Sequence, residues 1–170
     1  MGDEAKKKAL RVVTVASKWL EDPRVGYSGE VNPAAAGGQG LSTLVMAGAR
    51  VSVAEPGRLV CSLRVRAQLT DAEGRWHAGA VAAAVDNICS ATAFTVVGAP
   101  TATVDYALSY YSPAHHNEEV KMDARAVNRK GKLTAAVVEV RKKDSGELVA
   151  IGRQWVTPAW PTKTNKGSKL

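Results

Sequence analysis

The segment Gly79-Ala80-Val81-Ala82-Ala83-Ala84-Val85-Asp86-Asn87-Ile88-Cys89-Ser90-Ala91-Thr92-Ala93-Phe94-Thr95-Val96-Val97 decides how this chain folds. Val81, Val85, Ile88 and Thr92 recur at three- and four-residue spacing, which predicts a helix over residues 79–97. Ala82, Asp86, Cys89 and Ala93 form the adjacent stripe, made of small or polar residues. With Ala78, Ala80, Ala83, Ala84 and Ala91 the helix is thin, which predicts close packing on several sides rather than along one face.

Outward from this helix the period changes to two. After Gly98-Ala99-Pro100, strands are expected over 101–112, 118–128, 132–143 and 147–157. Their turns are Ser112–Asn117, Arg129-Lys130-Gly131-Lys132 and Asp144-Ser145-Gly146-Glu147, and such short links predict an antiparallel meander. Upstream, Arg50–Ala54 and Arg58–Gln68 flank the turn Glu55-Pro56-Gly57. In the second of these, Leu59, Cys61, Leu63, Val65 and Ala67 alternate with Ser62, Arg64, Arg66 and Gln68, giving one buried face and one wet face. Residues 5–21 read as an amphipathic helix ended by Asp22-Pro23, and 42–48 as a short helical turn. The economical packing is α+β: one curved antiparallel sheet wrapped around the central helix. The expected divisions are an N-terminal helix with a Gly/Ala/Pro-rich insertion (1–41, the insertion being 24–41), the α+β domain (42–158), and a polar tail (159–170).

The chain has 170 residues and a net charge of +7. That balance favours an anionic partner, whether nucleic acid, anionic lipid or a polyphosphate ligand. Aromatic residues make up only 5% of the chain, which speaks against a stacking platform for single-stranded nucleic acid. No run approaches the length of apolar sequence a membrane span needs, and the N-terminus lacks the apolar stretch of a secretory signal. Cys61 and Cys89 read as buried free thiols, and Trp19, Trp76, Trp155 and Trp160 as core or interface residues. Ser168-Lys169-Leu170 matches the peroxisomal address read by an import receptor, with the cytosol as the alternative location.

Gly79 lies near a helix start, where backbone N–H groups lack intrahelical partners and can hold an oxygen that gains negative charge. A helix start alone specifies no chemistry. Asp86, in mid-helix on the small-residue stripe, is costly to bury unpaired. It is a solvated residue, a structural acceptor, or a general base or nucleophile. Gly79 and Asp86 are about 10 Å apart along one helix axis. One helix does not bring its own pair to a single carbonyl, whereas two antiparallel helices from different subunits do, which predicts a symmetric dimer with two shared sites. His115 and His116 sit in a polar turn without structural zinc spacing, so no metal is expected.

His77-Ala78-Gly79 entering the helix and Asp86-Asn87 within it resemble the small PaaI-type hotdog acyl-CoA thioesterases, including the eukaryotic thioesterase superfamily members. Glu55-Pro56-Gly57-Arg58-Leu59-Val60-Cys61, Gly98-Ala99-Pro100, Val104-Asp105, Tyr110-Tyr111-Ser112-Pro113, Gly131-Lys132 and Ser145-Gly146-Glu147-Leu148-Val149-Ala150 continue the likeness over roughly residues 7–157. The resemblance implies a hotdog fold and hydrolysis of acyl-CoA thioesters, with coenzyme A entering as part of the substrate and no other cofactor. It implies Asp86 as general base or nucleophile, the Ala78 and Gly79 N–H groups as oxyanion hole, and His77 orienting the loop or the carbonyl. Thr103 would help position water, and Arg129, Lys130, Gly131 and Lys132 would meet coenzyme A phosphates. The family's usual assembly is a tetramer. Two positions depart from its pattern. Ala78 replaces the first Gly of His-Gly-Gly, and Asp71 stands where relatives often have a donating Asn; a carboxylate does not donate unless protonated. A non-catalytic acyl-CoA-binding hotdog protein and a hotdog enoyl-CoA hydratase or dehydratase remain the alternatives.

Overall fold

A computed structural model describes residues 2–31 and 40–159. Most of the 24–41 segment's centre and the tail bearing Trp160 and Ser168-Lys169-Leu170 lie outside the described residues. In chain order the elements are α1 (Asp3–Glu21), α2 (Gly40–Met46), β1 (Arg50–Glu55), β2 (Arg58–Arg64), α3 (Ala78–Val97), β3 (Thr101–Tyr110), β4 (Glu119–Lys130), β5 (Leu133–Lys142) and β6 (Leu148–Pro158). Six strands form one antiparallel sheet in the order β1-β2-β4-β5-β6-β3, and α3 lies along it as the central helix of a hotdog fold.

Packing follows the pattern of small and branched residues. Val81, Val85, Ile88 and Thr92 are buried, and so are Ala80, Ala84, Cys89, Ala91 and Ala93. A fully buried branched side chain such as Ile88 contributes about 1.5–3 kcal/mol, and the alanines between let the sheet close round the helix. By length and composition α3 could cross a bilayer, but 67% of its apolar window is buried inside the molecule. Its far end stops at Gly98, where φ of +70° suits a residue without Cβ, and the Gly98 N–H bonds the Phe94 carbonyl at 2.9 Å. There α1 docks through Trp19, which meets Tyr27 at 4.6 Å between ring centroids, while Tyr27 meets Phe94 at 5.1 Å. Such pairs add about 0.5–1.5 kcal/mol each beyond burial.

The sheet faces the helix through the alternation expected of it: Val120, Met122 and Ala124 on β4, Ala136, Val138 and Val140 on β5, and Ala150, Gln154 and Val156 on β6 are all buried. Gly152 sits in the same row on β6, and a Cβ there would overlap Val85 Cγ1 of α3. It is this glycine that lets helix and sheet approach at the level of Asp86.

Two expectations are corrected. The four last strands are not a simple meander: β4, β5 and β6 pair in sequence, but β3 pairs with β6, and β4 pairs with β2. The link after β3 is no hairpin turn. Ala114 is buried, its carbonyl accepts from the Trp76 N–H at 2.7 Å, and His115 bridges to Arg75, so the link crosses the loop that leads into α3 and delivers β4 to the far side of β5. The second strand also ends at Arg64 rather than Gln68, because residues Ala67–Leu69 turn into a short 3-10 helix.

Candidate active site

Asp86 lies on the side of α3 that β3 approaches. One of its carboxylate oxygens, Oδ1, accepts from Gln154 Nε2 at 2.5 Å and faces Thr103 Oγ1 at 3.5 Å; the same Gln154 nitrogen reaches Thr103 Oγ1 at 2.6 Å. The Asp86 residue as a whole is open to solvent in the single chain, yet this oxygen is tucked against a fully buried amide. Desolvation holds the Asp86 carboxyl above the ordinary carboxylate range, and the bonds from Gln154 and Thr103 offset this only in part. Thr103 reaches the cluster because of a β-bulge. Between Thr103, opposite Val156, and Asp105, opposite Trp155, β3 carries one extra residue, Val104. The insertion reverses the alternation, so that Thr103 falls on the same face as Tyr106 and Tyr110. Those tyrosines lash strand to helix, Tyr106 Oη donating to the Ala82 carbonyl and Tyr110 Oη to the Ala78 carbonyl, each at 2.8 Å.

At the start of α3, His77 is the N-cap residue and its Nδ1 accepts from the Gly79 N–H at 3.0 Å. With Nδ1 accepting, the neutral ring carries its proton on Nε2. A Cβ at Gly79 would come within 3.2 Å of His77 Nδ1, so glycine is what lets the ring fold over the helix end. Ala80 and Val81 donate to the His77 carbonyl. The Ala78 N–H has no acceptor among the described residues. Ala78 itself is an ordinary helical residue, and among the described residues only Asn117 of the non-glycines has positive φ, so the extra methyl group brings no backbone strain.

Beside this helix end is a cleft of about 340 Å³ bounded by Trp76, Ala78, Val81, Tyr110, Tyr111 and Val149, with Asp71 and Arg75 at its polar side. Asp71 is fully engaged. Its Oδ1 accepts from the N–H groups of Arg75 (2.9 Å) and Glu73 (3.0 Å), and its Oδ2 accepts from Arg75 Nε at 2.8 Å. Burial works to raise the carboxyl, but these bonds and the Arg75 charge outweigh it and leave it below its ordinary range. The aspartate thus shapes the 71–75 turn, which closes at Gly74 with φ of +75°, and its charge is met by Arg75.

The fold brings some of the expected site residues together and separates others. Thr103 and Asp86 share one level of the sheet with the basic turn, since Thr103 pairs Val156, Val156 pairs Thr134, and Thr134 pairs Arg129. Arg129, Lys130, Gly131 and Lys132 are exposed at this end, three strand spacings or about 14 Å from Thr103. His77, Ala78 and Gly79 lie two turns of helix away at the other end. Gln154, Tyr106 and Arg75 were not singled out from sequence. For Gln154 a signal exists: it is the one polar residue in an inward row otherwise made of Ala150, Gly152 and Val156. Cys61 and Cys89 are buried free thiols; burial pushes Cys61 up to about 12 and Cys89 further.

A central helix wrapped by an antiparallel sheet, with a carboxylate in mid-helix and a capped helix start, defines a hotdog protein of the thioesterase type. The thioesterase superfamily model matches residues 73–149. Acyl-coenzyme A thioesterase 13 of Homo sapiens is 36% identical over 101 residues, covering 59% of this chain and 72% of that protein. The chain therefore belongs to the thioesterase superfamily. Zebra fish thioesterase superfamily member 2 superposes with a TM-score of 0.66 at 28% identity, covering 71% of this chain and 92% of its own. A variant of the phenylacetic acid degradation protein PaaI from Thermus thermophilus does so with a TM-score of 0.60 at 27% identity, covering 66% and 94%.

Proposed function

We propose that this protein hydrolyses acyl-CoA thioesters to the free carboxylic acid and coenzyme A, in sites shared between two copies of the chain. The observation that carries the shared site is the course of β3 along α3. Thr103 stands at the level of Asp86, Tyr106 at Ala82 and Tyr110 at Ala78. β3 is also an edge strand, with Val104 and Tyr110 each more than half exposed. Such an edge is a template for pairing. Antiparallel pairing with the β3 of a second copy sets the Thr103 end of one strand against the Tyr110 end of the other. That brings Asp86 of each chain towards Ala78 of its partner, a distance one helix does not span by itself.

In this arrangement Asp86, with its carboxyl raised towards the working range of a base, takes a proton from water lodged against Thr103, and the water oxygen attacks the thioester carbonyl. The Ala78 N–H of the partner receives the developing oxyanion, joined by the Gly79 N–H when the His77 ring yields it. The sulfur leaves as the coenzyme A thiolate. Arg129, Lys130 and Lys132, at the same end of the sheet as Asp86, meet the phosphates of coenzyme A. A tetramer is two such dimers. Ser168-Lys169-Leu170 supports a peroxisomal location, testable by the location of an N-terminal fluorescent fusion with and without Leu170.

The experiment is complementation read by thiol release. Asp86→Asn removes the base. Ala78→Pro removes one N–H at the first helical position, where proline is tolerated. Each variant alone should release little thiol from a panel of acyl-CoAs. Co-refolded in equal amounts they should regain about a quarter of wild-type activity, because half of the dimers are mixed and each mixed dimer holds one intact site. No recovery, with dimers formed, would overturn the shared site. Acyl-CoA binding without thiol release in the wild type would overturn hydrolysis itself.

A further inference from the structure

Gln154 is a fully buried polar residue in an otherwise apolar row, and its surroundings leave its amide one favourable orientation. Its backbone is held on both sides, paired with Tyr106 on β3 and Ala136 on β5. Its two N–H bonds go to Asp86 Oδ1 at 2.5 Å and Thr103 Oγ1 at 2.6 Å, with Ser90 Oγ a longer 3.4 Å away. The Ser90 hydroxyl in turn donates towards Gln154 Oε1 at 3.5 Å. Turning the amide over would set its carbonyl oxygen against an ionised carboxylate, so an ionised Asp86 specifies this orientation, whereas the Ser90 hydroxyl, near both amide atoms and able to donate or accept, fits either. Unlike a histidine or lysine, an amide does not change charge with pH.

We propose that Gln154 is the positioning residue of this site: its buried amide fixes Asp86 and Thr103 as one unit and holds the Asp86 carboxylate in its ionised form as a neutral, non-titrating donor. This rests on the reading of Asp86 as the base and adds how the base is kept ready. Among the described residues, the other titratable groups facing Asp86 are Tyr106 on β3 and Cys89 one turn further along α3. Burial pushes both upward, so both stay uncharged where the carboxyl titrates. The donors that draw the Asp86 carboxyl back down are the Gln154 amide first and the Thr103 hydroxyl second.

The test is a carboxyl carbon NMR titration of Asp86 in the full-length protein, its signal assigned by loss in Asp86→Asn, alongside the pH dependence of kcat/KM. In the wild type the Gln154 side-chain amide protons should shift with the same midpoint as Asp86. Gln154→Met, which keeps the volume and removes the donor, should raise that midpoint. Gln154→Glu, which keeps the shape and adds a like charge, should raise it further. The acid limb of the rate profile should move with it, costing about tenfold in kcat/KM at low pH for each unit of movement. An Asp86 midpoint unchanged in both variants overturns the proposal, whatever the loss of rate. If Gln154→Met does not fold, the wild-type amide protons and the Glu variant decide. A carboxyl midpoint that moves while the rate profile stays put supports Gln154 as the partner of Asp86 and sinks Asp86 as the base, so the two readings fail separately.

Discussion

Two aspartates flank the start of α3 in sequence, and the fold treats them in opposite ways. Asp71 uses both carboxylate oxygens, receives backbone N–H groups from Glu73 and Arg75, and is paired with a cation. Asp86 uses one oxygen, receives only neutral side-chain donors, and is otherwise open to solvent. The first is held below the ordinary carboxylate range and the second above it. A carboxylate saturated with donors and charge is fixed in its anionic form and has no appetite for a proton. One left partly desolvated is poised to take one. Two side chains of the same type thus take up structure and chemistry according to what surrounds them.

The contrast is broken most severely at Asp86. Asp86→Asn should lower kcat by about 10²–10⁴-fold in thiol-release assays and leave the fold intact. Stability should move the other way. A carboxyl whose folded pKa is raised binds its proton more tightly folded than unfolded, so as pH rises through that value ionisation costs the native state stability. Removing the carboxylate removes this cost. The variant should melt higher than wild type at neutral pH, and the difference should vanish below the unfolded value of about 3.9. A lower melting temperature at neutral pH would mean that Asp86 is a structural acceptor.

A second way to disturb the comparison leaves both carboxylates in place and moves the helix. Gly152 allows α3 to close on β6, and an added Cβ would overlap Val85 and come within 3.2 Å of Val138 Cγ1. Gly152→Ala should destabilise the protein by about 1–3 kcal/mol in urea unfolding, the usual penalty of overpacking. Val85 precedes Asp86, so the same displacement should lengthen the Asp86–Gln154 bond and lower kcat more than it changes KM. The Asp71 turn, on the other side of the helix start, should hold. Unchanged stability would show that helix and sheet adjust without cost.

How much of this was legible in the sequence depends on the range of the interaction. The stripe from Val81 to Thr92 and the alternation of Leu59, Cys61 and Leu63 are local periodicities, and they placed α3 and the body of β2, though not the end of β2 at Arg64. The partner of β3 was not legible, because pairing by proximity gives a meander, whereas the buried link through Ala114 carries the chain past two strands before β4 begins. The bulge at Val104 is equally silent, since strict alternation from Tyr106 back to Thr103 puts the threonine on the wrong face. Asp86 stood out because a carboxylate among alanines is anomalous wherever it occurs. Gln154 did not, because its meaning comes from a contact to Thr103 that spans 51 positions of the chain. The Asp71 role was hidden by comparison itself: set beside relatives with a donating Asn it looked like a fault at the site, and only its bonds to Arg75 show it as the organiser of a turn.

That difference yields the smallest effect and the finest test of the comparison. Asp71→Asn keeps an acceptor oxygen for the Glu73 and Arg75 N–H groups but gives up the ion pair with the Arg75 side chain. Activity should change by no more than a few-fold, since pairs of this exposed kind contribute little. The sign of the stability change is the sharper reading. A carboxyl whose folded pKa is depressed stabilises the native state above its unfolded value, and that contribution is lost as pH falls through the folded value. Asp71→Asn should therefore melt slightly below wild type at neutral pH, with the gap closing on acidification. The Asp86→Asn gap also closes on acidification, but from the opposite side. Melting curves of both variants over one pH series would read the contrast directly. If Asp71→Asn instead melted above wild type at neutral pH, the Asp71–Arg75 pair would be a net cost to the fold, and Asp71 would join Asp86 as a carboxylate kept for the site.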